Sequence, residues 1–484
     1  MSNQNQNHND IIEIFKKNSD NFSTRTIDFL NNTITIIYIK ELTDRQSLSQ
    51  FIVKPLIDAE YNSRLNAQTV LNNIIYLDDC KIKSEKNEIE SFIMTGFTVI
   101  LFSDSTDYLV ANVKTVPHRS IPDPEFNYVL RGPRECFIEH LDTNISLIRY
   151  RLKNKNLRIS YHTVGARSKS RVAVVYFEDI ANNHAVTQIK QRIDSIDIDG
   201  ILESGELQSF LLNHKLNLFP QMGIVERVDM ACDAMLEGKI TIYIEGSGIA
   251  LIAPKTFREF LWSCEDMYDN KYIGFFLRIL RIISLILTSI ISSLYIATVA
   301  FHSDLLPSQY IIMIAQTRSQ VPFNAFIEVM IIEIIVELLR EALLRVPSKY
   351  GTAIGIVGAI IIGDAAITAG IFSPLLLIVV ALSLICSFIP SDFTLVNPFR
   401  IIKFFLIILT AVFGFFGLVL GITFVLAHLV SINSFGVPYF APVTPFIRKD
   451  AIKSVFYNKA LAKKRPYFLN LKDATRTSDP PNTD

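Results

Sequence analysis

Two long uncharged stretches dominate the hydropathy pattern of this chain. Residues 282–301 contain no charged side chain, and neither do residues 404–430. A helix of about twenty apolar residues spans the hydrocarbon core of a bilayer and satisfies its own backbone hydrogen bonds there. The pattern therefore predicts two clear membrane spans in the second half of the chain. The first 270 residues have no comparable stretch, which is typical of a water-soluble head.

Strand-like and helical segments alternate along the head. Residues 33–39 and 96–102 are β-branched and aromatic, as buried strands are, and residues 172–178 form a third such run. Apolar residues spaced from Ile138 to Leu152 predict one amphipathic helix. Residues 239–253 alternate on both sides of a glycine turn, which predicts a β-hairpin.

Three weaker apolar segments lie between the two clear spans. Residues 325–346 have a helical pattern but carry many charges, residues 354–372 are interrupted by Asp364, and residues 375–389 are short. The fold class that we predict is an α/β soluble head of two stacked subdomains plus an all-α polytopic transmembrane bundle. The predicted domains are a disordered polar tail (1–20), two α/β subdomains (21–130 and 131–270), a transmembrane helical domain (271–430) and a C-terminal cytoplasmic basic tail (431–484).

Basic residues predict the orientation of the bundle. Lys271, Arg278 and Arg281 precede the first span, whereas Arg318 alone follows it, and the C-terminal tail is rich in Lys and Arg. Excess positive charge marks the cytoplasmic side, so the head and the tail are both expected there. Both ends on one side require an even number of crossings, so the charged helix or the short segment after Pro374 is expected to be re-entrant or doubled back.

Composition excludes several classes of function. Lys+Arg and Asp+Glu are both 47, which argues against a nucleic-acid-binding protein because such proteins normally carry a basic excess. The five cysteines are scattered and never form a CxxC pair, so neither a disulfide framework nor a metal site is predicted. There is no apolar secretory signal at the N-terminus. Motifs for a metalloprotease, a P-loop, a dinucleotide site or a nucleophile elbow are missing from the sequence, so we expect neither an enzyme nor a cofactor.

Acidic residues in the charged helix are the candidates for an ion path. Glu333, Glu337 and Glu341 recur every four residues and therefore share one face of an otherwise apolar helix. Carboxylates facing lipid would be costly, so the stripe must meet water, a partner or counter-charges. We add Asp364 as a fourth candidate. The alternative is local neutralisation of the stripe by Arg340 and Arg345.

Small residues at four-residue spacing predict close helix packing. The residues that form these two ridges are Gly351, Gly355 and Gly363 in one segment and Gly417 and Gly421 in the last span.

Charged residues cluster in two segments of the second head subdomain, and we interpret them as candidates for a domain interface, although most such runs are solvated helix faces. These candidates are Arg131, Arg134, Glu135 and Arg149 in the first segment and Glu226, Arg227 and Asp229 in the second.

Taken together, the motifs resemble the A subunit of the spore germinant receptors, the GerA family. The stretches that carry the resemblance are RGPRECFIE (131–139), IDIDGILESGEL (196–207), FPQMGIVERVD (219–229), EGKITIYIEGSGIALIAP (237–254), LLPSQ (305–309), ELLREA (337–342), IGIVGAIIIGDAAITAGIFSP (354–374) and FGVPYFAP (435–442). Cys136 stands where the family favours glycine, and Asp364 stands where glutamine or glutamate is usual.

The resemblance implies a subunit in the inner membrane of a dormant bacterial spore that works with a permease-like B subunit and a lipoprotein C subunit. It further implies a homo-oligomer around a pore that releases cations when a nutrient is sensed. A transporter-type subunit and a scaffold without a pore remain as alternatives. The first predicts an internal repeat of broken helices, and the second predicts that every acid of the charged helix is paired.

Overall fold

The structure, a computed structural model, divides into two compact units. The head unit comprises residues 1–215, 222–254 and 463–484, and the helical unit comprises residues 216–221 and 255–462. The residues that the structure describes are 22–29, 32–59, 65–103, 105–114, 132–212, 217–263, 265–268, 271–346, 363, 366–448, 450 and 464–476. Arg131, Gly351, Gly355 and Asp364, all singled out from the sequence, lie outside these residues.

The described residues of the head unit form two five-stranded antiparallel sheets. In sheet A the strand order is β1-β2-β4-β5-β3, and in sheet B it is β6-β7-β9-β10-β8. The strands of sheet A are β1 (Ser23–Phe29), β2 (Asn32–Tyr38), β3 (Cys80–Lys83), β4 (Thr98–Phe102) and β5 (Tyr108–Ala111). The strands of sheet B are β6 (Leu157–Val164), β7 (Ser170–Phe177), β8 (Gly223–Val225), β9 (Ile240–Ile244) and β10 (Ala250–Ala253). The strand runs and the hairpin that the sequence predicts are confirmed.

Helices occupy corresponding places in the two subdomains. Between the second and third strands, sheet A has an irregular helical stretch (Arg45–Ser47, Leu48–Val53 and Lys54–Asp58) and α1 (Ala67–Asn73), and a second helix, α2 (Ile89–Met94), precedes its fourth strand. Sheet B has α4 (Asn183–Asp194) and α5 (Ser204–Leu211) in the first place and α6 (Val228–Leu236) in the second, and α3 (Leu141–Arg151) precedes the whole sheet. The head is therefore two copies of one strand order, a repeat that the sequence analysis missed.

Helix α3 confirms the predicted amphipathic helix, with two corrections at its ends. Ile138 precedes the helix, and the side chain of His140 caps it by accepting from the Thr143 N–H. Leu152 is the C-cap. An N-cap side chain satisfies a backbone donor that has no partner within the helix, so a helix begins where such a residue stands, even if the apolar spacing starts earlier.

The last described segment of the chain belongs to the head unit. Residues 464–476, the C-terminal strap, pack against sheet B through Leu471, which lies on its core. Arg465 is buried and donates to the carbonyls of Leu236 (2.7 Å) and Thr475 (2.6 Å). Arg476 pairs with Glu237 at 2.9 Å. Residues 431–484 are therefore divided between both units, which corrects the prediction of one basic tail.

Replacing Arg465 by Ala is expected to release the C-terminal strap. Its guanidinium makes charge-assisted hydrogen bonds worth about 1.5–3 kcal/mol, so local opening becomes about tenfold or more frequent. Limited tryptic cleavage at Lys472 measures this opening. Arg167→Ala is the matched control because Arg167 is 85% exposed. Equal cleavage rates in both variants would show that Arg465 does not hold the strap.

The described residues of the helical unit form five longer helices. They are α7 (Lys271–Ile296), which continues through a π-helical stretch (Ala297–Phe301), α8 (Ser308–Arg318), α9 (Ala325–Arg345), α10 (Pro374–Cys386) and α11 (Phe393–Ser431). Short elements are Phe257–Leu261, Glu265–Tyr268, Ser303–Leu305, Ala366–Thr368 and the strand pair β11 (Asn433–Ser434) and β12 (Val437–Pro438). In the part of the chain that the structure describes, two helices are long and apolar enough to cross a membrane by length and composition, Tyr272–Phe301 and Phe393–Ser431.

Helix α11 is a hairpin of two antiparallel arms. Gly414 has φ 61° and ψ −140°, which is not helical. A Cβ built on Gly417 would lie 2.2 Å from the Leu409 carbonyl oxygen, and one on Gly421 would lie 2.5 Å from a Leu406 methyl carbon. In a continuous helix these pairs would be about 12 Å and 22 Å apart at 1.5 Å per residue, so the chain must reverse at Gly414.

This reversal corrects the prediction that residues 404–430 form one simple span. The element that doubles back is neither the charged helix nor the segment after Pro374 but the longest apolar stretch of the chain. Gly417 and Gly421, predicted as packing residues, lie where the two arms approach each other. A Cβ on Gly363 would meet nothing within 4 Å among the described residues.

Buried contacts give the directions of α10 and of the first arm of α11 relative to α7. A Cβ on Gly414 would meet Phe301. Lys403 and Ser292 both bind the carboxylate of Glu333. The first arm of α11 therefore runs parallel to α7. Ser383 Oγ donates to the Thr288 carbonyl and Ser373 Oγ bonds to Tyr295, so α10 runs antiparallel to α7.

An ion cluster holds the beginning of α7. Asp266 is buried and accepts from Arg281 at 2.7 Å and from Arg278 at 3.2 Å. Both arginines, which the sequence analysis counts as flanking positive charges, are thus neutralised in part by one acid. Both arginines still precede the uncharged stretch at 282–301 in the chain.

Candidate functional site

Glu333 is buried at the centre of the helical unit and binds two side chains from other helices. It is 0% exposed, and its partner Lys403 is 3% exposed. The Lys403 ammonium lies 2.6 Å from one carboxylate oxygen, and Ser292 donates to the other at 2.5 Å. Lys403 stands about midway along the first arm of α11. Both carboxylate oxygens therefore have a partner, as a buried charge requires.

Glu337 lies one turn further along α9 and faces the next cation of the same arm. Arg400 donates to its carboxylate through Nε at 3.0 Å and through a second, shorter bond from Nη2. Lys403 is also 3.6 Å away. Residues four apart on α9 and three apart on α11 each share a helix face, so two acids oppose two cations in one ladder.

The remaining residues of the acidic stripe behave differently. Glu341 is exposed and pairs with Arg345 at 2.8 Å, the local pairing that the sequence left open. Arg340 instead donates to Ser387 at 2.7 Å. The stripe therefore divides into a buried part, Glu333 and Glu337, and an exposed end.

The cations of this ladder were not predicted from the sequence. Arg400 and Lys403 immediately precede the uncharged stretch at 404–430 and therefore lie outside the predicted span. Their spacing of three residues could have indicated this role, because it puts both side chains on one face of a helix that begins before the apolar run. The helix does begin earlier, at Phe393, where Asp392 caps it.

A second buried polar cluster joins four helices around Glu328. Glu328 is 0% exposed and accepts from the Ser373 N–H at 2.6 Å, at the beginning of α10. Arg318 lies 3.4 Å from the other carboxylate oxygen and 3.3 Å from the Tyr295 hydroxyl. A carboxylate at a helix N-terminus is favourable because unpaired backbone N–H groups point toward it. This cluster ties together the ends of α7, α8, α9 and α10.

One head residue predicted at an interface joins the two subdomains. Arg149 is buried on α3 and lies 3.8 Å from Glu41, which follows β2 of sheet A. Tyr161 of sheet B also donates to Glu41, at 3.2 Å. Burial lowers the pKa of the Arg149 guanidinium, and the Glu41 carboxylate partly counteracts this.

The other candidates of the head hold two chain segments of the second subdomain together. The Phe137 N–H donates to the Glu226 carbonyl, and the Val228 N–H donates to the Glu135 carbonyl. Arg227 is fully buried and binds Asp229 at 2.6 Å and 3.0 Å. Glu135 pairs with Arg151. The first segment also includes Arg134. These contacts place the two charged motifs side by side in the second subdomain.

No group of His, Cys, Asp and Glu side chains in the described part of the chain has the arrangement of a metal site. The ion pairs between α9 and α11 are the candidate functional site of the helical unit.

Known proteins resemble this chain over both the head unit and the helical unit. A family described as Bacillus/Clostridium GerA spore germination protein matches residues 9–468. Spore germination protein KA of Bacillus subtilis (strain 168) is 36% identical over 445 residues, which cover 92% of this chain and 82% of that protein.

Two further relatives were found. The uncharacterized membrane protein YfkQ of Bacillus subtilis (strain 168) is 31% identical over 89% of this chain and 84% of its own length. The N-terminal domain of the A subunit of the Bacillus megaterium spore germinant receptor GerK3, a crystal structure, is 24% identical with a TM-score of 0.39 and covers 51% of this chain and 94% of that one.

Proposed function

The chain belongs to the Bacillus/Clostridium GerA spore germination protein family, and from this membership we propose that it is the A subunit of a nutrient germinant receptor. The observation that carries the proposal is the family match over residues 9–468, which includes both the head and the helical unit. In this role the protein works with a permease-like B subunit and a lipoprotein C subunit in the inner membrane of the dormant spore. It transmits nutrient sensing and has no enzymatic activity of its own.

The proposed membrane location is supported by the helices of span length and by the membrane protein among the relatives. Helix α11 contributes two arms of about 25–31 Å, each close to the thickness of the hydrocarbon core. In this multi-pass arrangement the head and the C-terminal strap share the cytoplasmic side. Their common place in the head unit supports this orientation.

We propose that the protein releases cations as an oligomer and that the ladder between α9 and α11 keeps the resting path neutral. Glu333 and Glu337 are then closed off by Lys403 and Arg400, as described above. Nutrient binding on a partner subunit favours an arrangement in which the helices separate and the carboxylates meet water. Carboxylates beside an aqueous path attract cations. Asp364 remains a candidate for the same path.

A scaffold without a pore is the second candidate, because Glu328, Glu333, Glu337 and Glu341 all have cationic partners within the chain. In that role the acids serve only to hold the helices. The two candidates differ in what removal of one carboxylate does to cation release.

Replacing Glu337 by Gln, alone and together with Glu333→Gln, tests the proposal in spores. We expect cation release after nutrient addition to be severalfold slower, since Arg400 and Lys403 then leave uncompensated positive charge beside the path. Released monovalent cations are measured by flame photometry, and assembly is measured by the amounts of all three subunits in the spore membrane.

Glu341→Gln is the matched control for this test because Glu341 is exposed and pairs only with its neighbour one turn away. Release at the parental rate in correctly assembled Glu337→Gln spores would favour the scaffold. Glu337→Gln spores that contain all three subunits and germinate in response to no nutrient would support the receptor role alone, without favouring the pore or the scaffold.

A further inference from the structure

The helical unit contains an apolar cavity between α7 and both arms of the α11 hairpin. Its volume is about 410 Å³, within the range of about 300–1,000 Å³ that is usual for small-molecule sites. Leu285 of α7, Phe399 and Leu406 of the first arm and Val425 and Leu429 of the second arm form its walls. The hairpin therefore creates this cavity, because a straight α11 would separate the two walls.

The cavity opens on the outer surface of the helical unit. Four of its lining side chains are also exposed: Ile282 (44%), Ile286 (50%), Leu426 (48%) and Val443 (56%). Exposed apolar side chains on helices of span length face the hydrocarbon of the bilayer. An apolar opening on that surface admits lipid chains without the desolvation of any polar group.

Among the described residues that line the cavity, one is a cation, and the others, apart from Ser289, are apolar. Arg258 lies in the segment just before α7, and its guanidinium stacks on the Trp262 ring at 4.1 Å. Arg278 lies over the same ring at 5.2 Å. Tryptophan and arginine are typical of the level of the lipid headgroups, where a guanidinium binds phosphate through two parallel hydrogen bonds.

We infer that this cavity binds one acyl chain of an anionic phospholipid, with the phosphate at Arg258. The inference rests on the proposed membrane location of the helical unit. A helix from a second copy of the chain is about 10–12 Å across and does not fit into a cavity of this volume. A single acyl chain fits such a space and matches its apolar walls.

Trp262 makes the inference directly testable, because it is the single tryptophan of the chain. The full-length protein is reconstituted in phosphatidylglycerol vesicles with and without bromine atoms on the acyl chains, which quench nearby tryptophan. We expect strong quenching in the parent and loss of most of it in Val425→Phe, which fills the cavity. The control is Ile408→Phe, at an exposed position of the first arm that does not line the cavity.

Native mass spectrometry of the same variants gives a second readout. The parent and Ile408→Phe are expected to retain one phospholipid per chain after detergent exchange, whereas Val425→Phe retains none. In Arg258→Gln the retained lipid should lose its preference for phosphatidylglycerol over phosphatidylcholine. No retained lipid in the parent, or equal quenching in both phenylalanine variants, overturns the inference.

Two measurements separate this inference from the wider proposals. Cross-linking of two chains through cysteines at Leu426 and Val443, with quenching unchanged by Val425→Phe, would assign the opening to a second copy and reject the lipid. Flotation with vesicles tests the membrane location independently. A chain that floats but holds no lipid contradicts only the cavity assignment, and one that does not float contradicts the membrane location.

Discussion

Replacing Lys403 by Met is expected to destabilise the helical unit by about 3–5 kcal/mol, because it leaves the Glu333 carboxylate buried without its counter-charge. Glu333 is 0% exposed, so solvent cannot replace the missing ammonium group. The remaining hydrogen bond from Ser292 satisfies only one carboxylate oxygen. Thermal unfolding of the full-length protein in detergent, followed by the fluorescence of Trp262, measures the effect in the helical unit alone, since this tryptophan belongs to that unit.

The double variant Glu333→Leu with Lys403→Met provides the internal control. Removing both charges leaves no unpaired ion, so its unfolding temperature should lie much closer to the parent than to the single variant. Arg345→Met, at an exposed pair of the same unit, should change stability by less than about 0.5 kcal/mol. An unfolding temperature in Lys403→Met equal to that of Arg345→Met would mean that no buried ion pair exists at this position.

Replacing Gly414 by Ala is expected to open the α11 hairpin. The φ and ψ of Gly414 lie in a region that essentially only glycine adopts, and strain there costs about 1–3 kcal/mol. A Cβ would also lie 3.0 Å from the Phe301 ring. Alanine favours the continuous helix, so the same change that strains the hairpin stabilises its straight alternative.

Cysteines at Phe405 and Phe424 report the hairpin. Their rings are 6.0 Å apart in the structure, whereas a continuous helix would place these residues about 28 Å apart. A short bifunctional maleimide should therefore link them in the parent and link them much less in Gly414→Ala. Gly363→Ala is the control, because a Cβ there meets nothing within 4 Å among the described residues. Absence of the link in the parent would refute the hairpin itself.

The two halves of the head repeat one fold and contact each other through charged side chains. Sheets A and B share one order of five strands, with helices in corresponding connections. Glu41 follows the second strand of sheet A and contacts α3, which precedes sheet B. The two subdomains thus meet through an ion pair between Glu41 of the first subdomain and Arg149 of the second. The transporter alternative predicts a repeat of broken helices, and the repeat observed here lies in the head.

Local pattern alone determined much of this protein. Strands β2, β4 and β7, the hairpin of β9 and β10, the helix α9 with its acids and the two apolar stretches all follow from local sequence patterns, which depend only on neighbours in the chain. The family resemblance could also be recognised without a structure, because each of its motifs is a contiguous segment of the sequence. Arg149, a candidate for a domain interface, lies 3.8 Å from Glu41 of the other subdomain, a contact that the sequence did not specify.

Tertiary structure decided which distant residues meet. Nothing local distinguishes Gly414 from the other glycines of the apolar run, and only the contacts of Leu406 with Gly421 and of Leu409 with Gly417 show the reversal. Glu333 and Lys403 are seventy residues apart in the chain, so no helical spacing could pair them. A buried charge must find its partner in space, and the same hydropathy pattern is compatible with several partners. The packing of α7, α9 and α11 selects one of them, and the packing of α7 against the two arms of α11 forms the cavity at Arg258.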